Sequence, residues 1–248
     1  MNNKKHVSLK DLAEELGVSV STVSRALKDS PEVGEEMRER VKKLAGEWNY
    51  RPNPFAISLL KNNPRIIGII VPDIVTHFYS SIISGISDVA RKNHYSVIIT
   101  SSYEQYELEK QCVEDLMNIR VEGIIACISQ ETTDYAHFES LIMQRVPLVF
   151  FDRVCLHGRC SCVVADNAES GKAATEHFLH HGAKRIGFIG GANHLDIVKQ
   201  RKHGYLDALR QYQIPIEREL IVCEKMTYDV KLLGSCWRCP VLPKPFLP

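Results

Sequence analysis

Val7-Ser-Leu-Lys-Asp-Leu-Ala13, followed by Gly17-Val-Ser-Val-Ser-Thr-Val-Ser-Arg-Ala-Leu27, is the stretch that decides how the chain begins to fold. Ser8 is a good helix N-cap, and Asp11, three residues later, approximates a capping box. Leu9, Leu12, Ala13 and Leu16 then recur at helical spacing. Gly17 suits the left-handed position that ends a helix. Ser19 caps a second helix expected to run to about Lys28. Two helices joined by a few residues containing Gly make a helix-turn-helix. After Asp29-Ser30-Pro31, a third helix is expected over about Glu35 to Trp48.

On the second helix Val23, Ala26 and Leu27 can face a core, while Ser21, Ser24, Arg25 and Lys28 share the opposite face. Short hydroxyl side chains let a helix approach a DNA groove closely. Arg pairs bidentately with guanine, and Ser bonds to several base edges. A solvated helix face would look the same from spacing alone.

Outward from this element the pattern changes. Pro52-Asn-Pro54 and Asn62-Asn63-Pro64 bracket a mostly apolar segment, Phe55 to Lys61. From Ile66 to Val71 a continuous β-rich run reads as a strand buried on both faces. Further strands are expected at Ser96 to Thr100, Gly123 to Ile128, Leu148 to Phe151, Val163-Val164, Arg185 to Ile189 and Leu220 to Val222. Helical segments lie between them, and such alternation implies βαβ units and parallel sheets. The fold class is therefore an all-α DNA-binding domain followed by an α/β domain.

Composition agrees with an ordinary globular chain of 248 residues, 44% apolar and 25% charged, which is enough to bury a real core. The net charge of +1 excludes a bulk basic coat, and residues 1 to 62 carry 11 Lys/Arg against 9 Asp/Glu. DNA contact must come from local placement of charge. No run reaches the 18 or so apolar residues of a membrane helix, and Met1-Asn-Asn-Lys-Lys-His lacks a secretory core. A cytoplasmic protein without membrane contact is expected. The eight Cys include Cys160-Ser-Cys162 and Cys236-Trp-Arg-Cys239, without the paired spacing of a zinc site. The ten His are scattered, and His180-His181 occupy consecutive, differently facing positions. No metal, cofactor or catalytic set is expected.

These motifs resemble the lactose-repressor (LacI/GalR) family. The resemblance continues through Arg38-Glu-Arg-Val41, Asn49-Tyr-Arg-Pro-Asn53, Ile67-Gly-Ile-Ile-Val-Pro-Asp73, Phe151-Asp-Arg153, Val163-Val-Ala-Asp-Asn167 and Arg185-Ile-Gly-Phe-Ile-Gly-Gly191. It implies that Val20, Ser21, Ser24 and Arg25 read bases in the major groove, while Ser8, Ser19 and Thr22 hold the backbone. It implies that Asn53, Ala56, Ser58 and Leu59 belong to a hinge that becomes helical on the operator, with Leu59 as a minor-groove wedge. Ile57 stands where the family often has a basic residue. The α/β domain should be periplasmic-binding-protein-like, with a small-molecule effector, a sugar or related metabolite, between two lobes. Asp73, Phe78, Tyr79, Asp152, Arg153, Asp166 and Arg201 are its candidate contacts.

The expected domains are 6–62 (helix-turn-helix and hinge), 65–230 (effector binding) and 231–248 (a tail without family pattern). The expected function is transcription regulation, as a repressor and homodimer on a palindromic double-stranded operator. A transport-type sugar-binding protein shares the second fold but not the first, and an enzyme lacks its nucleophile or metal set. The tail has four prolines and no readable period. It suggests a truncated or frameshifted chain, with an incomplete second lobe and a doubtful dimer.

Overall fold

Strand formation starts at Ile66, and the chain divides there into two units, 1–64 and 65–248. The computed structural model describes residues 7–51 and 64–224.

In the first unit, α1 (Leu9–Leu16), α2 (Val20–Ala26) and α3 (Glu35–Glu47) surround one small core. Leu12, Val23, Ala26 and Val41 are fully buried in it, with Trp48 and Tyr50 packed at its margin. Ser8 and Asp11 close the capping box in both directions. Gly17 turns the chain at φ 65°, where a side chain would be strained. The second helix ends at Ala26, shorter than its spacing predicts. Asp29 takes φ 57° and its carboxylate pairs with Lys42, and Pro31 disfavours helical backbone at Ser30.

The second unit holds a five-stranded parallel sheet in the order β2-β1-β3-β4-β5. The strands are β1 (Ile66–Val71), β2 (Ser96–Ser101), β3 (Gly123–Ala126), β4 (Leu148–Phe151) and β5 (Ser161–Val163). The helices α4 (His77–Lys92), α5 (Tyr106–Ile119) and α6 (Ala136–Met143) connect the first four. Five of the six β1 residues are buried, as the continuous apolar run requires. Gly68 permits the close seating of α5, because a Cβ there would lie 2.6 Å from the Leu116 side chain.

A second sheet pairs β6 (Phe188–Gly190) with β7 (Ile221–Cys223), flanked by α7 (Asn167–His180) and α8 (Asp196–Gln211). The α7–α8 crossing depends on two glycines. A Cβ on Gly171 would sit 2.3 Å from the Arg201 carbonyl, and one on Gly204 would sit 1.9 Å from the Ala168 carbonyl.

Two expectations are corrected. The strand expected at Val163-Val164 runs instead over Ser161–Val163, and Phe151↔Val163 pairing makes it, as β5, the edge of the first sheet. The strand expected from Arg185 begins only at Phe188, because the Ile186 carbonyl accepts from the Tyr205 hydroxyl at 2.8 Å. Among the described residues, no helix is long and apolar enough to cross a membrane. The expected hinge residues Asn53, Ala56, Ser58 and Leu59, and the tail 231–248, lie outside the described residues.

Candidate DNA-reading surface and ligand cleft

The outward face of α2 presents Val20, Ser21, Arg25 and Lys28 to solvent, with Ser24 half-buried beside them. Val23 and Ala26, on the opposite face, anchor the helix in the core. Ser19 is the N-cap. Its Oγ accepts from the Thr22 amide at 3.1 Å and shares hydrogen bonds of 2.8 Å with the Ser21 and Thr22 hydroxyls. Ser8 Oγ likewise accepts from the Asp11 amide at 3.3 Å and donates to its carboxylate. The serines assigned to the phosphate backbone thus also build the helix starts. Arg25 Nε lies 3.3 Å from Glu32, and both side chains are more than half exposed. An exposed pair of this kind is worth about 0–1 kcal/mol, so Arg25 can exchange it for a base edge at little cost.

In the second unit, the strand order reverses direction between β1 and β3. Ligands of open α/β sheets bind beyond the strand carboxyl ends at such a switch. A cavity of about 410 Å³ opens there. Phe78 and Tyr79 enter it from α4, Gln130 from the loop after β3, Asp152 and Arg153 from the end of β4, and Arg201 from α8. Gly190 and Gly191 complete the second-lobe wall.

The aromatic pair divides its work. Tyr79 is buried, 6.4 Å from the Phe151 ring, and its hydroxyl is 3.6 Å from Cys127 Sγ. Phe78 packs edge-on to Tyr79 and stays 51% exposed, a free apolar face for a ligand. Burial raises the Tyr79 hydroxyl well above the usual tyrosine range and pushes the Cys127 thiol up to about 12. Neither ionises near neutrality.

Asp152 and Arg153 do not simply pair with each other. Arg153 Nη1 donates to both Glu104 oxygens, at 2.9 and 2.7 Å, and Glu104 Oε2 also accepts from the Gln130 amide at 2.7 Å. Burial opposes the Arg153 charge, but the Glu104 pair more than offsets it. Asp152 sits at φ 57°. Burial raises its carboxyl above the usual range, against the pull of Arg153 and Arg201. Arg201 is exposed to the cleft, with its Nε donating to Asn167 Oδ1 at 2.9 Å. Asn167 is buried and braced by its own amide bond to the Ala165 carbonyl.

Two candidates fall outside the cavity wall. Asp73 turns its own loop, accepting from the Val75 amide at 2.8 Å. Asp166 is the N-cap of α7, accepting from the Glu169 amide at 2.9 Å. Conversely, Gln130, Glu104 and Asn167 were not among the chosen residues. Asn167 had a signal in its place beside Asp166, and the other two had none.

Together these features define a helix-turn-helix unit followed by a cleft-bearing unit of the periplasmic-binding-protein type. Residues 1–53 match the family model "Bacterial regulatory proteins, lacI family". Residues 65–236 match "Periplasmic binding proteins and sugar binding domain of LacI family". The chain belongs to the LacI family of bacterial regulatory proteins.

Among curated relatives, the ribose operon repressor of Bacillus subtilis is 34% identical over 224 residues, covering 90% of this chain and 65% of that protein. The transcriptional regulator MalR of Streptococcus pneumoniae is 33% identical over 220 residues, covering 87% of this chain and 66% of that protein. The solved lac repressor dimer bound to operator superposes with a TM-score of 0.66 at 26% identity, over 89% of this chain and 66% of the repressor. The chain thus spans about two thirds of the length of the curated relatives it matches.

Proposed function

We propose that this chain is a sequence-specific DNA-binding transcription regulator, acting as a repressor, whose operator affinity is set by a small-molecule effector. The observation that carries this reading is the outward face of exposed Val20, Ser21 and Arg25 with half-buried Ser24, held by a capped and fully packed helix. Such a face matches a major groove in size and hydrogen-bonding character. Ser8, Ser19 and Thr22 would hold phosphates, and Asn53, Ala56, Ser58 and Leu59 would form the hinge contact. The working domains are 6–62, 65–230 and 231–248.

The effector is a sugar or related metabolite. One exposed aromatic face, a carboxylate and a guanidinium suit a hydroxylated ligand of small net charge. Asp152 and Arg201 carry opposite charges, and the charge of Arg153 is already balanced by Glu104. The partner is a palindromic double-stranded operator, whose two symmetric half-sites need two reading heads; the homodimer that supplies them is expected of the full-length family and is doubtful for this chain. The chain acts on DNA in the cytoplasm and catalyses no reaction.

The test is to select duplexes from a random pool with the 248-residue chain, then measure affinity by fluorescence anisotropy at fixed salt. A palindromic consensus is expected, bound at least about 10³-fold more tightly than random sequence. A panel of sugars should then shift that affinity. Equal binding to all duplexes would sink the proposal.

A further inference from the structure

We propose that His177 and His181 form a surface binding site for a divalent transition-metal ion of the class that prefers imidazole, such as Ni²⁺, Cu²⁺ or Zn²⁺. The two residues stand four apart at the C-terminal end of α7, so their side chains share one helix face. Both are exposed. Their rings lie 4.3 Å apart between centroids, tilted by 40°.

The hydrogen bonding decides which nitrogens are free. His181 Nδ1 is 2.8 Å from the His177 carbonyl oxygen. A carbonyl can only accept, so Nδ1 carries the proton, and the neutral ring keeps its lone pair on Nε2. An imidazole held through Nδ1–H on a backbone carbonyl is the usual support for a metal-ligating histidine. Among the described residues, His177 makes ring contacts with His181 and Phe178, and neither of its nitrogens is hydrogen-bonded. His180 is different: its Nε2 is 2.6 Å from the Tyr212 hydroxyl and is already engaged.

Position adds a second favourable effect. The last carbonyls of a helix carry roughly half a negative charge, which attracts a cation there and repels an anion. Among the described residues, no group of three or more His, Cys, Asp or Glu is placed to hold a metal. The site therefore has two protein ligands and keeps water on its remaining positions, with Cu²⁺ bound more tightly than Ni²⁺ or Zn²⁺. Binding to the folded helix end stabilises α7, whose other end carries the Asn167 that holds Arg201.

The experiment is calorimetric titration of the 248-residue chain with Ni²⁺, repeated on H177A, H181A, H177Q and H180A. Far-ultraviolet circular dichroism of each variant separates lost binding from lost folding. Loss of a supporting partner alone costs about 10–100-fold in metal affinity, so loss of a ligand should cost at least that much. We expect this loss in H177A, H181A and the size-preserving H177Q, and unchanged affinity in H180A. Full-strength binding in folded H177A or H177Q would overturn the proposal, as would an equal loss in H180A.

Discussion

In the helix-turn-helix unit the capping hydrogen bonds of α1 and α2 join residues three apart, Asp11 to Ser8 and Thr22 to Ser19. In the cleft, Arg153 reaches back 49 positions to Glu104, and Arg201 reaches back 34 positions to Asn167. The first region carries its functional face on one helix, set by local chemistry. The second assembles its face from strand ends and helix starts that only the sheet brings together. A reading surface on one helix survives or fails with that helix. A cleft survives only if several distant supports agree.

The largest effect should come from the small helical core. Leu12 is fully buried, and truncating it leaves a void in a unit with few other large side chains. Leu12→Ala is expected to cost about 2–5 kcal/mol and to abolish operator binding. Differential scanning calorimetry should show the cleft-bearing unit melting as before. A parallel loss in both transitions would break the contrast between a locally built and a globally built region.

Next is Gly204→Ala, whose Cβ would fall 1.9 Å from the Ala168 carbonyl. Overpacking at a backbone contact costs about 1–3 kcal/mol and occasionally more. The α7–α8 crossing should open and pull Arg201 from Asn167. The expected result is weaker effector response with operator affinity unchanged when no effector is present. A fully responsive variant would mean that the crossing does not position Arg201.

Arg25→Ala sharpens the comparison from the other side. If Arg25 meets a guanine, the change costs about 1–3 kcal/mol on the cognate operator and much less on random duplex. Anisotropy on the two duplexes at one salt concentration distinguishes this from a phosphate contact, which would weaken both alike. Because, among the described residues, Arg25 pairs only with exposed Glu32, the melting temperature should not move.

Ser8→Ala is the smallest of the four. It removes the Oγ that accepts from the Asp11 amide and half of a reciprocal box. A cost of about 1 kcal/mol in the helical unit is expected, readable in its denaturation midpoint. No change at all would show that Asp11 holds the helix start alone.

The contrast also explains which parts were legible. Leu9, Leu12 and Leu16 with Ser8 and Gly17 predict α1 over its full length, because cap and periodicity are both short-range signals. The β1 strand was equally plain, since a run buried on both faces leaves no room for polar residues. The boundaries that failed were those decided by distant partners. Tyr205 claims the Ile186 carbonyl and shortens β6, and β4 claims Val163 for the first sheet. Asp73 and Asp166 looked like ligand contacts because they follow strands. Their carboxylates accept from amides two and three residues ahead, and neither residue lines the cavity.

The sequence by itself determined the helix-turn-helix, the alternation of strands and helices, and the outward face of α2. All of these rest on interactions within a few residues or on the period of apolar burial. Tertiary structure alone decided that Arg153 is paired with Glu104, that Asn167 aims Arg201, and that Phe78 is the free aromatic while Tyr79 is not. It also brought the ring of His177 beside that of His181, whose spacing was present in the chain but whose free nitrogens were not. The reason is that a hydrogen-bond partner is chosen by proximity in space, and proximity across dozens of residues is a property of the packed fold.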